Sequence, residues 1–266
     1  MSARSIKEGR LPHMPTILNY VARRNSPRES VSSLRVCSIP FHLAKKEYSN
    51  GCASAETIPM HHFRNKEFVI DFVIGVILLV VSLMVETRAV TYVDNQTSNA
   101  VSDIVLNNTR VYNVDGLYVY GAVSLIAFIV FVCVWYPRRL PFVLKSIALF
   151  TFVRAFFISL THIGPYPAQV VISPSFFTTY FPTIFTSNDL FFSGHTGLPF
   201  LMALIFWDNK MLRTIFLGFT LLLAVVVLLG HIHYSIDVVS AFFITFGIFS
   251  MAKVFFKRDW LRLNRD

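Results

Sequence analysis

Two short stretches of this chain carry residues suited to chemistry. The first is Asp189-Leu190-Phe191-Phe192-Ser193-Gly194-His195-Thr196 and the second is His231-Ile232-His233-Tyr234-Ser235-Ile236-Asp237. Together they hold three of the eight histidines and two carboxylates, and no Lys or Arg occurs between Arg213 and Lys253. Ionisable groups set among residues that otherwise avoid charge read as a functional site. His233 and Asp237 are four apart, the spacing that shares a helix face. A carboxylate bonded to one imidazole nitrogen sets the tautomer and supports positive charge on the ring, leaving the other nitrogen as base or nucleophile. The same spacing suits a His and an Asp that merely open a membrane helix, where the helix dipole favours the acid.

Ser193-Gly194-His195-Thr196 reads as a helix start, with Ser193 at the cap and Gly194 allowing close backbone approach. The N–H groups of such a first turn bind phosphate readily. His195 in that turn is placed to give a proton to a leaving oxygen; an ordinary cap with an interfacial His would read the same way. Arg154 adds a fixed cation for a phosphate, or else packs helix against helix. His162, His195, His231, His233 and Asp237 can be drawn as a metal cluster. No tight helical ligand motif such as HExxH accompanies them, so no metal is assigned. His162 and Gly164-Pro165-Tyr166-Pro167 are read instead as a rigid turn at a membrane surface.

The elements that must position these residues are membrane helices. The chain has 266 residues, 54% of them hydrophobic, with 27 Phe, more apolar surface than a soluble domain carries. Apolar runs near the ~20 residues that span a bilayer fall at about 68–85, 116–136, 142–163, 191–207, 213–230 and 235–256. Pro137 stops the second run. The expected fold is an all-α polytopic bundle of six transmembrane helices occupying residues 67–256. A basic polar tail (1–66) precedes it and a short basic tail (257–266) follows. The first tail has the composition of a transit peptide without a cleavage signal, of a disordered cytosolic segment, or of a stretch upstream of a true start at Met60. Cys37, Cys52 and Cys133 form neither a disulfide framework nor a metal spacing.

Lys and Arg placement orients the bundle. Eleven lie before the first run, three at Arg138, Arg139 and Lys145, two at Lys210 and Arg213, and five from Lys253 to the C-terminal end; the opposite face has Arg88 and Arg110. Both termini are therefore expected in the cytosol, with His195 and His233 on the other face. The net charge of +9 is a topology signal and gives no reason to invoke nucleic acid. Sequons at Asn95-Gln96-Thr97 and Asn107-Asn108-Thr109 lie in the expected outward loop of about 86–115 and are usable only in a eukaryotic secretory membrane. A bacterial inner membrane and a Golgi or plasma membrane both suit the chain. Oligomeric state is not legible.

Ser193-Gly194-His195-Thr196 and His233-Tyr234-Ser235-Ile236-Asp237-Val238-Val239-Ser240-Ala241-Phe242-Phe243 resemble the sphingomyelin synthase-related proteins of the type 2 phosphatidic acid phosphatase superfamily. Asp189 falls where those synthases carry an Asp. Val153-Arg154-Ala155-Phe156-Phe157-Ile158-Ser159-Leu160-Thr161 with Pro165 and Pro167 looks like their third-span motif. The resemblance covers about 68–250. It implies that His233, activated by Asp237, attacks a phospholipid phosphorus while His195 protonates the departing diacylglycerol oxygen. A phosphohistidine then carries the head group to a lipid alcohol such as ceramide. It also implies substrate contacts at Arg154, Asp189, Ser193, Gly194, Thr196 and Tyr234, and chemistry that needs no cofactor. The expected partners are phospholipid, lipid alcohol and bilayer.

The phosphatase branch carries Lys-x6-Arg-Pro and a Ser-Arg pair before the second His. Neither is present here, where Leu229-Gly230-His231-Ile232 precedes His233. Ser187-Asn188 also replaces a Cys-Gly of animal synthases. A lipid phosphatase or phospholipase C-like hydrolase would use the same residues with water as acceptor. A transporter or inactive scaffold would line an ion path with them, but the discontinuous, repeated helices expected of a transporter are not evident.

Overall fold

The computed structural model describes residues 66–96, 98–180 and 190–263. They form α1 (Lys66–Asp94), α2 (Asp115–Trp135), α3 (Leu140–Leu160), the short α4 (Phe176–Tyr180), α5 (Gly194–Ile205), α6 (Lys210–Leu229), α7 (Ser235–Phe255) and α8 (Lys257–Leu263). Two 3₁₀ turns, Leu106–Asn108 and Pro137–Arg139, complete the helical elements, and no strand occurs among the described residues. The all-α membrane bundle expected from the sequence is what forms. Five helices are long and apolar enough to cross a membrane: α1, α2, α3 with its 3₁₀ lead, α6 and α7. Six were expected. The fourth run, 191–207, yields only the 12 residues of α5, about 18 Å of helix against a hydrocarbon core about 30 Å thick. Phe191 and Phe192 hold left-handed backbone, φ 94° and 57°, which blocks helix on the N-terminal side of Ser193.

α1 packs on α3 through a stripe of small residues. Gly75, Ser82 and Ala89 recur every seventh position and are buried. Such stripes let helices lie close together in lipid, where no hydrophobic force drives them together. A Cβ on Gly75 would stand 3.0 Å from the Leu144 Cβ. α1 also runs past its expected end near 85. Residues 86–94, read from their polarity as loop, are its last turns, because Ala89 and Val90 pack on Ala155 and Ile158 of α3. Packing of one face sustains a helix that its composition alone would not.

The core is built by α2, α3, α5, α6 and α7, around Phe142, Phe192, Leu201, Met202, Phe216 and Ile248. Loops gather at one end of the bundle. The Ser98 and Gly164 amides donate to the His162 and Asn99 carbonyls at 2.8 and 3.2 Å, and the Val170 amide donates to the Gly230 carbonyl at 3.0 Å. The segment after His162 is thus stitched to loops on both sides. A Cβ on Gly164 would collide with the backbone of Ser98 and Asn99, so the crossing of these loops needs glycine.

The opposite end is closed by charge. Lys145, counted from the sequence as a connector residue, is buried inside α3. Its Nζ reaches Asp71 of α1 at 3.2 Å and Asp259 of α8 at 2.6 Å. Arg262 also contacts Asp71 at 3.0 Å and Asp259 at 3.4 Å. Every buried charge in this clasp has an opposite partner, which burial in a bilayer demands.

Candidate active site

His233 and Asp237 meet, but not as two residues on one helix face. α7 begins at Ser235 with Tyr234 as its cap, so His233 lies in the turn before the helix and Asp237 in its first turn. The Asp237 carboxylate reaches back: Oδ2 accepts the Tyr234 amide at 3.0 Å and stands 3.3 Å from His233 Nδ1. The cap and the imidazole pairing, alternatives on spacing alone, are made by the same oxygen. Both side chains are buried. With Nδ1 directed at a carboxylate, Nε2 is left as the reactive nitrogen.

α5 brings His195 to the same place. The Ser193 amide donates to the Asp237 carbonyl at 3.0 Å, which ties the start of α5 to the first turn of α7. The His195 and His233 ring centroids are 6.4 Å apart. Tyr118 of α2 stacks at a tilt on the other side of His195, 4.6 Å between centroids. Among the described residues, neither ring nitrogen of His195 has a hydrogen-bond partner. Ser193 occupies the cap position, yet its hydroxyl makes no cap bond; the expectation of a serine side-chain cap is not met. The first-turn amides of α5 therefore have no side-chain cap, which suits them to an anion. Thr196 is buried, its hydroxyl also without a partner among the described residues.

Gly194 has a clear reason. A Cβ there would lie 3.0 Å from Arg154 Nε and 3.4 Å from Cζ, so the missing side chain lets the guanidinium lie against the start of α5. Arg154 is buried, and its Nη1 bonds Glu86 of α1 at 2.5 Å. Glu86 was missed in the sequence because residue 86 fell beyond the expected end of α1. Only helical phase carried forward past residue 85 would have aimed it at α3.

These residues line one end of a cavity of ≈ 460 Å³ between α1, α2, α3 and α5. Its wall is largely apolar (Leu83, Leu125, Ile129 and Phe150 among others), and Glu86, Arg154, Gly194 and His195 all face it. Among the described residues α1 and α2 make no extensive contact. Leu83 and Val130, which line the cavity from those two helices, are also 47% and 57% exposed. The cavity thus opens sideways between α1 and α2, two helices apolar enough to cross a membrane. His233 and Asp237 lie beyond His195, outside this lining.

The loop layer holds the second motif. Asp103, buried in the 98–113 loop, accepts the Ser235 amide at 2.7 Å and its hydroxyl at 2.8 Å through Oδ2, and the Val105 and Leu106 amides through Oδ1. Burial works against its charge, but these four donors together hold its carboxyl below the usual carboxylate range. Asp103 was also missed, since a contact across 132 residues has no local signature. The Tyr234 hydroxyl donates to the Gly164 carbonyl at 2.9 Å and accepts the Val101 amide at 3.2 Å. Burial pushes its pKa up, which keeps it a donor. This hydroxyl pins two loops together.

His231 turns away from His233. Its Nε2 is 3.3 Å from the Thr109 hydroxyl and its ring meets Tyr166 edge-on at 4.9 Å. Burial depresses its pKa, partly offset by the Asp103 charge. His162 packs edge-on against Tyr92 at 5.5 Å. Among the described residues no three His, Cys, Asp or Glu groups converge as metal ligands. Asp189 lies outside the described residues. Of the sequence-predicted site, His195, His233, Asp237, Ser193, Gly194 and Arg154 come together, Thr196 lies one residue further into α5, and Tyr234 belongs to the loops.

Residues 186–254, the segment carrying α5, α6 and α7, match the family model described as PAP2 superfamily C-terminal. No curated protein and no solved structure gives a significant match. The matched segment contains His195, His233 and Asp237, and the likeness supports a relation of this part of the chain to the type 2 phosphatidic acid phosphatase superfamily, an assignment of phosphatase- and phosphotransferase-type lipid enzymes.

Proposed function

We propose that this integral membrane protein is a phosphotransferase that moves a phospholipid head group to a lipid alcohol such as ceramide. One observation carries the reading: two imidazoles 6.4 Å apart, one buried and paired with a carboxylate at 3.3 Å, the other half-buried at the start of a helix beside a buried arginine. A single phosphorus is within reach of both rings. Nε2 of His233 attacks it, and Asp237 stabilises the positive charge that grows on the ring. The phosphorus–oxygen bond to diacylglycerol breaks as His195 gives that oxygen a proton. A lipid alcohol then loses its proton to His195. Its oxygen bonds to phosphorus while the phosphorus–nitrogen bond to His233 breaks. Arg154 and the first-turn amides of α5 receive the phosphate oxygens.

Lipid acceptors fit better than water because His233 and Asp237 are buried and the adjoining cavity is apolar and opens between two helices apolar enough to cross a membrane. The excess of Lys and Arg at the α8 end favours that end, with both termini, in the cytosol and the imidazoles on the opposite face. The hydrolase reading uses the same residues and differs in its acceptor.

The test is a phospholipid with a labelled head group supplied to purified protein in liposomes, with and without ceramide, beside His233→Ala. Label on ceramide, lost in the variant, is the expected result, with transient base-stable, acid-labile label on the protein. Label released only as free head-group phosphate would make the protein a hydrolase. A broad panel of lipids without turnover would leave an ion path or an inactive scaffold.

A further inference from the structure

We propose that Glu86 is a positioning and specificity residue: it holds Arg154 against the start of α5 and offsets its charge, so that the cavity selects a phosphodiester lipid over a phosphomonoester. The inference rests on the reading that this end of the cavity receives a lipid phosphate. Among the described lining residues, Glu86 is the carboxylate and Arg154 the guanidinium, with His195 beside them. They form a buried pair at 2.5 Å, with side chains 12% and 6% exposed. Gly194 leaves the space in which the guanidinium lies against the α5 backbone. Glu86 on one side and the helix start on the other thus fix the arginine. A merely structural partner for a buried arginine would do as much; the difference lies in what the carboxylate does to a ligand.

A phosphodiester brings one negative charge to this position, whereas a phosphomonoester brings about −1.5 to −2 at neutral pH. The second charge needs a second cation in surroundings that screen little. Here the guanidinium is already matched, and the Glu86 carboxylate repels added negative charge. Removing the Glu86 charge while keeping an acceptor for Nη1 releases that discrimination.

The experiment uses the full chain in nanodiscs as wild type, Glu86→Gln and Glu86→Asp. Phosphatidic acid and phosphatidylcholine with identical acyl chains compete against one fluorescent lipid, and turnover of each is followed in parallel. The expected result is a shift in the binding ratio toward phosphatidic acid of roughly tenfold in Glu86→Gln, with Glu86→Asp near wild type and Tm little changed. A ratio within twofold of wild type in Glu86→Gln, whatever Tm does, would overturn the proposal and leave Glu86 a structural partner. A binding ratio shifted in Glu86→Gln, beside a wild type that turns over neither lipid, would keep the role of Glu86 and remove the proposed reaction. Failure of wild type to bind either lipid would overturn both.

Discussion

Asp237→Asn separates a carboxylate that drives chemistry from one that only caps a helix. Asp237 is fully buried, and one of its oxygens serves both the Tyr234 amide at 3.0 Å and His233 Nδ1 at 3.3 Å. An asparagine carbonyl in the same position keeps both acceptances and loses only the charge. A hydrogen bond to a charged group is worth about 1.5–3 kcal/mol against about 1 for a neutral one. The difference of about 0.5–2 kcal/mol becomes about 2- to 30-fold in rate if it acts on the imidazolium formed in the transition state. The expected result in the head-group transfer assay is a fall in kcat of that size with KM within about twofold, and Tm nearly unchanged. Asp237→Ala must do more, because it leaves the buried Tyr234 N–H without an acceptor. About 1–3 kcal/mol of stability is lost with it, and Tm falls. An Asp237→Asn protein that turns over at the wild-type rate would refute the reasoning and leave Asp237 a cap.

The remaining predictions concern the supports of the site. Lys145→Met leaves the Asp71 and Asp259 carboxylates buried side by side and should cost about 3 kcal/mol, the low end of the usual range, because Arg262 still reaches both. Thermal unfolding in detergent reads it, Lys145→Met with Asp259→Asn should recover part of it, and activity per folded molecule should stay unchanged. Gly194→Ala sets a methyl 3.0 Å from Arg154 Nε and should lower kcat/KM roughly tenfold by shifting the guanidinium, with little change in Tm. Asp103 has a folded pKa below its ordinary value of 3.8. Its contribution to stability is therefore complete above that value and is lost as pH falls through the folded pKa. Asp103→Asn should lie below wild type in Tm at neutral pH and converge with it in strong acid; parallel curves would show that its charge contributes nothing. His231 has its pKa lowered by burial below 6.5, so the unfolded chain binds its proton first and stability falls on acidification through the ordinary histidine range. His231→Gln should flatten that part of the pH–Tm curve.

Much was legible because it is local. Runs of apolar residues demand helices wherever the solvent is lipid, so five long helices and their order could be read directly. The two motifs stood out because charge is scarce around them, and a four-residue spacing carries a contact such as His233 with Asp237 in more than one geometry. Which geometry was not legible. The left-handed turn at Phe191 and Phe192 depends on what it packs against and shortens α5, and the bond by which Asp237 reaches back to His233 is made from the first turn of α7 rather than along one helix face. The partners of the site were hidden for the same reason. Glu86 meets Arg154 across 68 residues, Asp103 meets Ser235 across 132, and Lys145 meets Asp259 across 114. Each is a polar residue whose type alone suggested a loop or a membrane surface. Sequence thus determined which segments leave water and which few ionisable groups they take along. The tertiary structure decided how those groups are paired, because in a low-dielectric interior a charge must find its opposite wherever the chain brings it.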